Sequence, residues 1–525
     1  MNSDSAVERL AEGKKRYVRN TAISVAHQAV TMVAAFFLLP YILWRLGAEK
    51  YGLWVTAQIF SITGMVSLAE LGFQSSFIRY FAVYATEGKI QDFKRLLVTG
   101  FLLFLLIGAL CSGALLLAGK YFFADVFRIP AAHREELTLA VYVYALSLLF
   151  GFPLLVLKGF YAGIQDFVML KLWEIVERLV FMLVVVVLLF HSSSVLDVIL
   201  AEQAIILCLF IACIGISLAR HRALFSLHPR HIHWRSIQAV TAMSGLVFLN
   251  NLSWLVYLKV PDVFIAYFLG PLYMTYYAII GRFPRALKSI QGSLNAATLP
   301  FASMLESVHG SAQTRKLLVL RGLRYSFLLF TPVVACVLVF AEEILRVWVG
   351  SEYAFLGNYL RAFIVWQYAA VLVAFAGTTF TRPEHYRAIM GVNLAANILF
   401  VALIYAGIRQ YQLAAVLLAL LAGGALTTAI SLRVMRQANQ FTYREFFEYV
   451  IRAPVLTTGL VAGAAFGAVK LLAPWLALPW SIAGFVLAAL AVLYFIYAVG
   501  LQRYERQSLA WLARWIAERS GAAPG

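Results

Sequence analysis

Three cations recur at three-residue spacing, Arg282, Arg285 and Lys288, inside a run from Leu272 to Pro300 that is otherwise largely apolar. Read as a helix with a 1.5 Å rise, they lie about 15 to 24 Å from its start, which is the middle of a membrane. Each cation costs about 2.5 to 3.5 kcal/mol near a helix centre, roughly 9 together. The eight Leu, Ile and Phe residues of the run return only about 4 kcal/mol. Such a segment cannot simply face lipid. With Gln291 and Asn295, the cations cover about half of the helix circumference, which predicts a wet cavity on that face. Fixed guanidinium and ammonium groups in such a cavity can replace the lost hydration of an anion. Pro284 is expected to bend the helix there. The competing reading is structural pairing with acids elsewhere.

Other polar residues interrupt apolar runs. Lys171, Glu174, Glu177 and Arg178 fall together, with Lys171 and Glu174 at i,i+3 and Glu174 and Arg178 at i,i+4, so the group can neutralise itself. Arg178 is also a candidate for anion binding. Lys259 and Asp262 are one turn apart near a helix end. Asn250 and Asn251 lie deeper, suited either to ligand hydroxyls or to holding helices together. Glu70 stands near the end of the second apolar run, where it can carry a coupling proton, pair with a cavity cation, or reach water. Glu70, Glu177 and Asp262 form the candidate coupling or gating set. His27 and Gln28 are further candidates, explained equally by an interhelical hydrogen bond. His228, His231 and His233 cluster in a basic loop without an acid or cysteine beside them, which argues against a metal site. The four cysteines all lie in apolar runs without disulfide or zinc spacing and read as small core residues. No Gly-x4-Gly-Lys-Ser/Thr loop and no catalytic constellation is present, so neither a cofactor nor ATP hydrolysis in this chain is expected.

The elements that must position these groups are membrane helices. Of 525 residues, 62% are hydrophobic and 13% charged, with a mean hydropathy of +0.82, against about 25% charged in a soluble domain. Apolar runs of span length lie near 20–44, 51–74, 97–119, 137–159, 168–190 and 197–218, then near 237–268, 272–303, 323–348, 356–380, 385–407 and 412–433, with a last pair near 453–473 and 478–500. The expected fold is therefore an all-α membrane protein of about fourteen transmembrane helices, grouped six, six and two. Its parts are an N-terminal tail and lobe over 1–219, a basic inter-lobe loop over 220–236, a second lobe over 237–434, and a helix pair with an amphipathic tail over 435–525. The first run is preceded by a basic segment and lacks a cleavage site after it, so the first helix is expected in the mature protein.

The net charge of +18 does not point to nucleic acid once the cations are placed. Of the 43 Lys and Arg residues, 29 fall at the N-terminal side of the spans and 9 at the other, so both termini are expected in the cytoplasm. Trp44, Trp54, Trp348, Trp475 and Trp480 fall at outer ends, and Trp173 and Trp234 at inner ones, as an aromatic belt would place them. Leu509, Leu512, Trp515 and Ile516 share one helical face of the tail, which suits the inner interface. An internal repeat adds to the pattern. Leu46-Gly47 leads into Tyr51-Gly52-Leu53-Trp54, and Leu269-Gly270 leads into Tyr273 to Tyr277, at equivalent places in the two six-helix groups. An even number of spans separates them, so the lobes would be parallel repeats, an architecture of transporters.

Leu46-Gly47 with Tyr51-Gly52-Leu53-Trp54, then Leu68-Ala69-Glu70-Leu71-Gly72-Phe73 and Arg79, resembles the polysaccharide transporter branch of the multidrug/oligosaccharidyl-lipid/polysaccharide (MOP) exporters, which includes the Wzx-type O-antigen flippases. Tyr277 to Arg282, Pro300 with Ser303, and Ile344-Leu345-Arg346-Val347-Trp348-Val349-Gly350 agree, so the resemblance covers most of residues 20 to 435. That family commonly has Asp where Glu70 stands. The resemblance implies two six-helix lobes in a V shape, a central cationic cavity and alternating access. It implies as substrate a polyprenyl-diphosphate-linked oligosaccharide crossing the bacterial inner membrane, with membrane lipid and polysaccharide-assembly proteins such as a polymerase as partners. The rivals are a lipid II flippase of the same architecture, a multidrug exporter, for which three central cations are ill suited, and a polymerase or ligase, which would need longer outer loops than Lys120 to Glu136.

Overall fold

The computed structural model describes residues 3–62, 64, 73–127, 129–226, 228–234, 238, 256, 259–292, 312–376, 383–475 and 478–500. Glu70, Asn250, Asn251, Asn295 and the tail beyond residue 500 lie outside them. The described chain is helical, with no strand among the described residues. Two compact units divide it, one of Met1–Ile279 with Asn397–Ala419 and one of Ile280–Ala396 with Leu420–Gly525. By length and composition, eight helical stretches among the described residues can cross a membrane. Their outward faces are apolar, with Leu110, Leu117, Ile211 and Leu418 exposed, as lipid requires and water would not.

In the first unit, α1 (Ser3–Ala57) is two helices joined across Gly47, whose φ is +80°. After α2 (Phe73–Thr86), α3 (Ile90–Tyr121) and α4 (Arg134–Gly163) pack along their lengths. Phe77, Phe81, Phe93, Phe104, Phe152 and Phe160 form their shared core, fully buried, with Phe81 and Phe93 rings 4.8 Å apart and Phe93 and Phe160 5.7 Å apart. These are favourable aromatic separations. Then α5 (Phe167–His191) lies against α1, and α6 (Val195–Arg220) against α4. Although α5 is 25 residues long, its first half contains four charged residues, so its environment there is not bulk lipid.

The repeat of Leu-Gly is a repeat of backbone. Gly270 has φ +85°, and Leu269 and Gly270 both donate to the Ile265 carbonyl, the left-handed glycine ending that closes a helix without steric cost. Pro271 then opens α7 (Pro271–Ile280), where its missing N–H is harmless. The two junctions touch. A Cβ on Gly52 would stand 1.9 Å from the Pro271 carbonyl oxygen, so only glycine fits there, and the buried Thr275 hydroxyl donates to the Ala48 carbonyl at 2.5 Å. Trp54 belongs to this packing. It is 7% exposed, meets Tyr51 edge-on at 5.6 Å and lies beside Tyr144 of α4, so it is an interior residue rather than part of the belt. Trp44 and Trp475 are exposed at helix ends as expected.

In the second unit, α8 (Ala312–Trp348) is kinked at Phe340, with φ −105° and ψ 19°. It is packed by α9 (Gly357–Ala376) and by α12 (Thr458–Leu472), the latter preceded by a π-helical Phe447–Thr457. Between them in sequence come α10 (Pro383–Tyr411) and α11 (Leu413–Asn439), of which Asn397–Ala419 belongs to the first unit. The last helix, α13 (Leu478–Phe495), joins α12 over Ala335, Ala462, Phe466, Ala488 and Val492. At the kink, Arg361 donates to the Leu338 carbonyl at 2.9 Å and Lys470 to the Val339 carbonyl at 2.8 Å. The same two cations pair with Glu342 and Glu343, each at 2.9 Å. Side chains inserted at carbonyls are a recognised cause of helix kinks.

Candidate functional site

The run bearing Arg282, Arg285 and Lys288 is not one unbroken helix. Helix α7 stops at Ile280, Gly281 forms a turn, and helix resumes over 282–292. Pro284 supplies the reason, since it has no N–H for the Ile280 carbonyl and its ring crowds that turn. Arg285 re-establishes the ladder by donating its N–H to Gly281 at 3.1 Å. Around the resumed helix, Pro284, Leu287 and Gln291 are buried, Arg282 and Lys288 half-buried and Arg285 exposed. Gln291 thus stands with the packed side of the helix, away from Arg285. Arg285 and Lys288, one turn apart, act on each other electrostatically, a repulsion that an anion between them would relieve. Phe283 meets Trp348 edge-on at 5.4 Å, which ties the turn to the end of α8.

A second charged centre lies in the first unit. Its hub is Glu174 on α5, which takes Lys171 at 2.7 Å, His27 of α1 at 3.4 Å and Lys158 of α4 at 3.6 Å. The i,i+3 pair of Lys171 and Glu174 is present, whereas no ion pair of Glu174 with Arg178 forms among the described residues. Glu174 is instead turned toward α1 and α4, and Arg178 acts on Glu177 and Glu202. Glu202 on α6 accepts the Tyr144 hydroxyl of α4 at 3.2 Å, and Tyr144 is fully buried. His27, Lys158, Glu174, Glu177, Arg178 and Glu202 therefore draw four helices, α1, α4, α5 and α6, into one electrostatic group. Lys158 lies at the end of the apolar run 137–159 and is not singled out in the sequence, and Glu202 is the acid the sequence reading misses. Its signal was available, since it is an acid in an apolar run with no cation three or four residues away.

Asp262 is half-buried on the helical stretch 259–268, one turn from Lys259. In the histidine loop, His231 is buried and His233 donates its N–H to Thr99 at 2.9 Å. Burial, followed by nearby Arg230 and Lys94, holds the His231 imidazole below its ordinary pKa. No group of metal-ligating side chains exists among the described residues. Of the cysteines, Cys213 is buried, Cys111 and Cys336 are half-buried and Cys208 is exposed. Cys208 is thus not a core residue; it lies on the outward face of α6 beside exposed Leu207 and Ile211.

The arrangement has known counterparts in fold. The chain superposes on the lipid II flippase MurJ in an inward closed conformation with a TM-score of 0.67 at 11% identity, covering 91% of this chain and 98% of that one. The MATE multidrug transporter DinF-BH gives 0.56 at 13% identity, covering 82% and 97%. A MATE protein in the bent conformation gives 0.56 at 15%, also covering 82% and 97%. No curated protein matches the sequence significantly. The all-α fold is that of MurJ and the MATE transporters, and the chain is a multi-pass membrane protein. A family profile described as polysaccharide biosynthesis protein matches residues 17–306, more than half of the chain, so the chain belongs to the polysaccharide biosynthesis protein family.

Proposed function

We propose that the chain is a flippase that carries a polyprenyl-diphosphate-linked oligosaccharide from the cytoplasmic to the periplasmic leaflet of a bacterial inner membrane, with both of its termini in the cytoplasm. The observation that carries this reading is the cationic turn at 281–288, where Arg285 is exposed and Lys288 lies one turn further along, in a run that the sequence reads as a span. A diphosphate brings about two negative charges, and each would lose several kcal/mol of hydration in an apolar path. Guanidinium forks hold phosphate oxygens in pairs, and an ammonium group follows the charge without a fixed geometry. The prenyl tail stays in lipid while the headgroup crosses. Membership of a polysaccharide biosynthesis family supports a sugar-bearing cargo. The product at the outer face is then ready for a polymerase or another polysaccharide-assembly protein.

The test uses proteoliposomes with a fluorescent polyprenyl-diphosphate oligosaccharide and, in parallel, lipid II. Arg285→Gln and Lys288→Gln are expected to insert at near wild-type levels and to slow flipping at least about tenfold, the consequence of losing one charge-assisted contact of about 1.5 kcal/mol or more. Faster transport of lipid II than of the oligosaccharide lipid would replace the substrate. Normal flipping by both variants would remove the cationic mechanism.

A further inference from the structure

The Glu174 centre has features that a purely structural ion cluster does not need. Lys158, Lys171 and His27 converge on one carboxylate from three different helices, at 3.6, 2.7 and 3.4 Å. All four side chains remain partly accessible, between 19% and 27%. The helices are held by other means. α1 packs against α5, and the Tyr41 hydroxyl donates to the Val186 carbonyl at 2.7 Å. Partly exposed ion pairs add little to stability, and buried ones can often be replaced by apolar residues without loss. Charge balance inside the group is close, with Lys158, Lys171 and Arg178 against Glu174, Glu177 and Glu202. Lys158 and Lys171 share the Glu174 carboxylate, so a new anion that takes them must displace it.

We infer that Glu174 is an exchangeable placeholder anion, which holds Lys158, Lys171 and His27 until a diphosphate takes its place. The oxygens of a carboxylate and of a phosphate accept from the same donors, and lysine ammonium groups can swing from one to the other because they impose no planar geometry. Lys158, in the longest of the three contacts, transfers first. Its position also favours capture at the start of transport, since Lys158 and Lys171 flank the short turn between α4 and α5, at the basic end of the bundle. When the substrate leaves, Glu174 reclaims Lys158, Lys171 and His27, so the site releases what it binds. The choice of a lipid-linked diphosphate as the anion rests on the flippase reading above, whereas the exchange itself rests on the cluster.

The experiment measures binding to the full chain in nanodiscs, with inorganic pyrophosphate in one arm and a polyprenyl diphosphate in the other. Glu174→Gln keeps the shape and removes the competing charge. Binding in both arms is expected to tighten about tenfold, the combined loss of three modest competing pairs, while flipping in proteoliposomes slows because release is impaired. Lys158→Gln is expected to weaken binding about threefold in the presence of Glu174, and Lys158→Gln with Lys171→Gln to weaken it further. Tightening for pyrophosphate alone would overturn the lipid assignment. Unchanged or weaker binding by a Glu174→Gln protein that elutes and melts as wild type would overturn the exchange, and should that variant not fold, unchanged binding by Lys158→Gln would do so. Failure of the flippase reading is seen separately, as no flipping of either lipid by the wild-type chain beside tightened pyrophosphate binding by Glu174→Gln.

Discussion

Replacing Gly52 by alanine tests the junction at which the two Leu-Gly repeats meet. The added Cβ would lie 1.9 Å from the Pro271 oxygen, 2.5 Å from its carbonyl carbon and 2.8 Å from the Thr275 hydroxyl. An ordinary carbon–oxygen contact is about 3.3 Å, so the start of α7 must withdraw by roughly 1.4 Å. Such overpacking costs about 1 to 3 kcal/mol. Withdrawal also stretches the bond from Thr275 to the Ala48 carbonyl, now 2.5 Å, which removes about 0.5 to 1.5 kcal/mol more. Against this stands the better helix propensity of alanine, about 1 kcal/mol. The net loss is therefore about 0.5 to 3.5 kcal/mol. Gly215→Ala in α6 is the control, because nothing lies within 4 Å of its added Cβ and only the propensity gain remains. A thermal ramp followed by fluorescence-detected size exclusion on the two full-length variants should show Gly52→Ala melting below wild type and Gly215→Ala at or above it. A Gly52→Ala protein as heat-tolerant as wild type would refute the close approach.

Two further substitutions address helix ends that depend on distant side chains. The Glu136 carboxylate of α4 accepts from the Ser194 hydroxyl at 2.9 Å and from the Val195 and Leu196 N–H groups at 2.6 and 3.2 Å, capping the start of α6. Glu136→Ala should lower stability by about 1.5 to 3 kcal/mol, with faster amide exchange at Val195 and Leu196, and Glu136→Gln should lose less. Lys470→Met leaves the Val339 carbonyl and Glu343 without their cation. Because that pair is more than a third exposed on both sides, its ionic part contributes little, so the expected loss of about 1 kcal/mol comes mainly from the carbonyl, and limited proteolysis between α12 and α13 should quicken.

Much of the architecture is legible in the sequence because lipid imposes one-dimensional rules. Span length, the sorting of Lys and Arg, and the glycine that ends a helix act locally, which is why Gly47 and Gly270 can be paired by register before any contact is known. The polar centres are less legible because their partners come from other helices. Glu174 has a good i,i+4 cation in Arg178, yet Lys158 and His27, 16 and 147 residues before it in the chain, are the ones that join Lys171 in reaching it. Trp54 resembles its neighbour Trp44 in everything that composition can express, and only tertiary packing beside Tyr51 and Tyr144 distinguishes the enclosed indole from the exposed one.

The kink at Phe340 in α8 has a consequence for biosynthesis. Its two carbonyls are completed by residues made at different times. Arg361 follows Leu338 by 23 residues, while Lys470 follows Val339 by 131. During synthesis, α8 therefore enters the membrane with one carbonyl soon satisfied and the other waiting for a further 131 residues. Until α12 arrives, the low-dielectric surroundings favour a straighter α8 whose carbonyls stay in its own ladder. The final helix pair is thus a late step of assembly that bends a helix inserted long before it, and a nascent chain halted ahead of residue 458 would hold α8 in a shape the finished protein does not have.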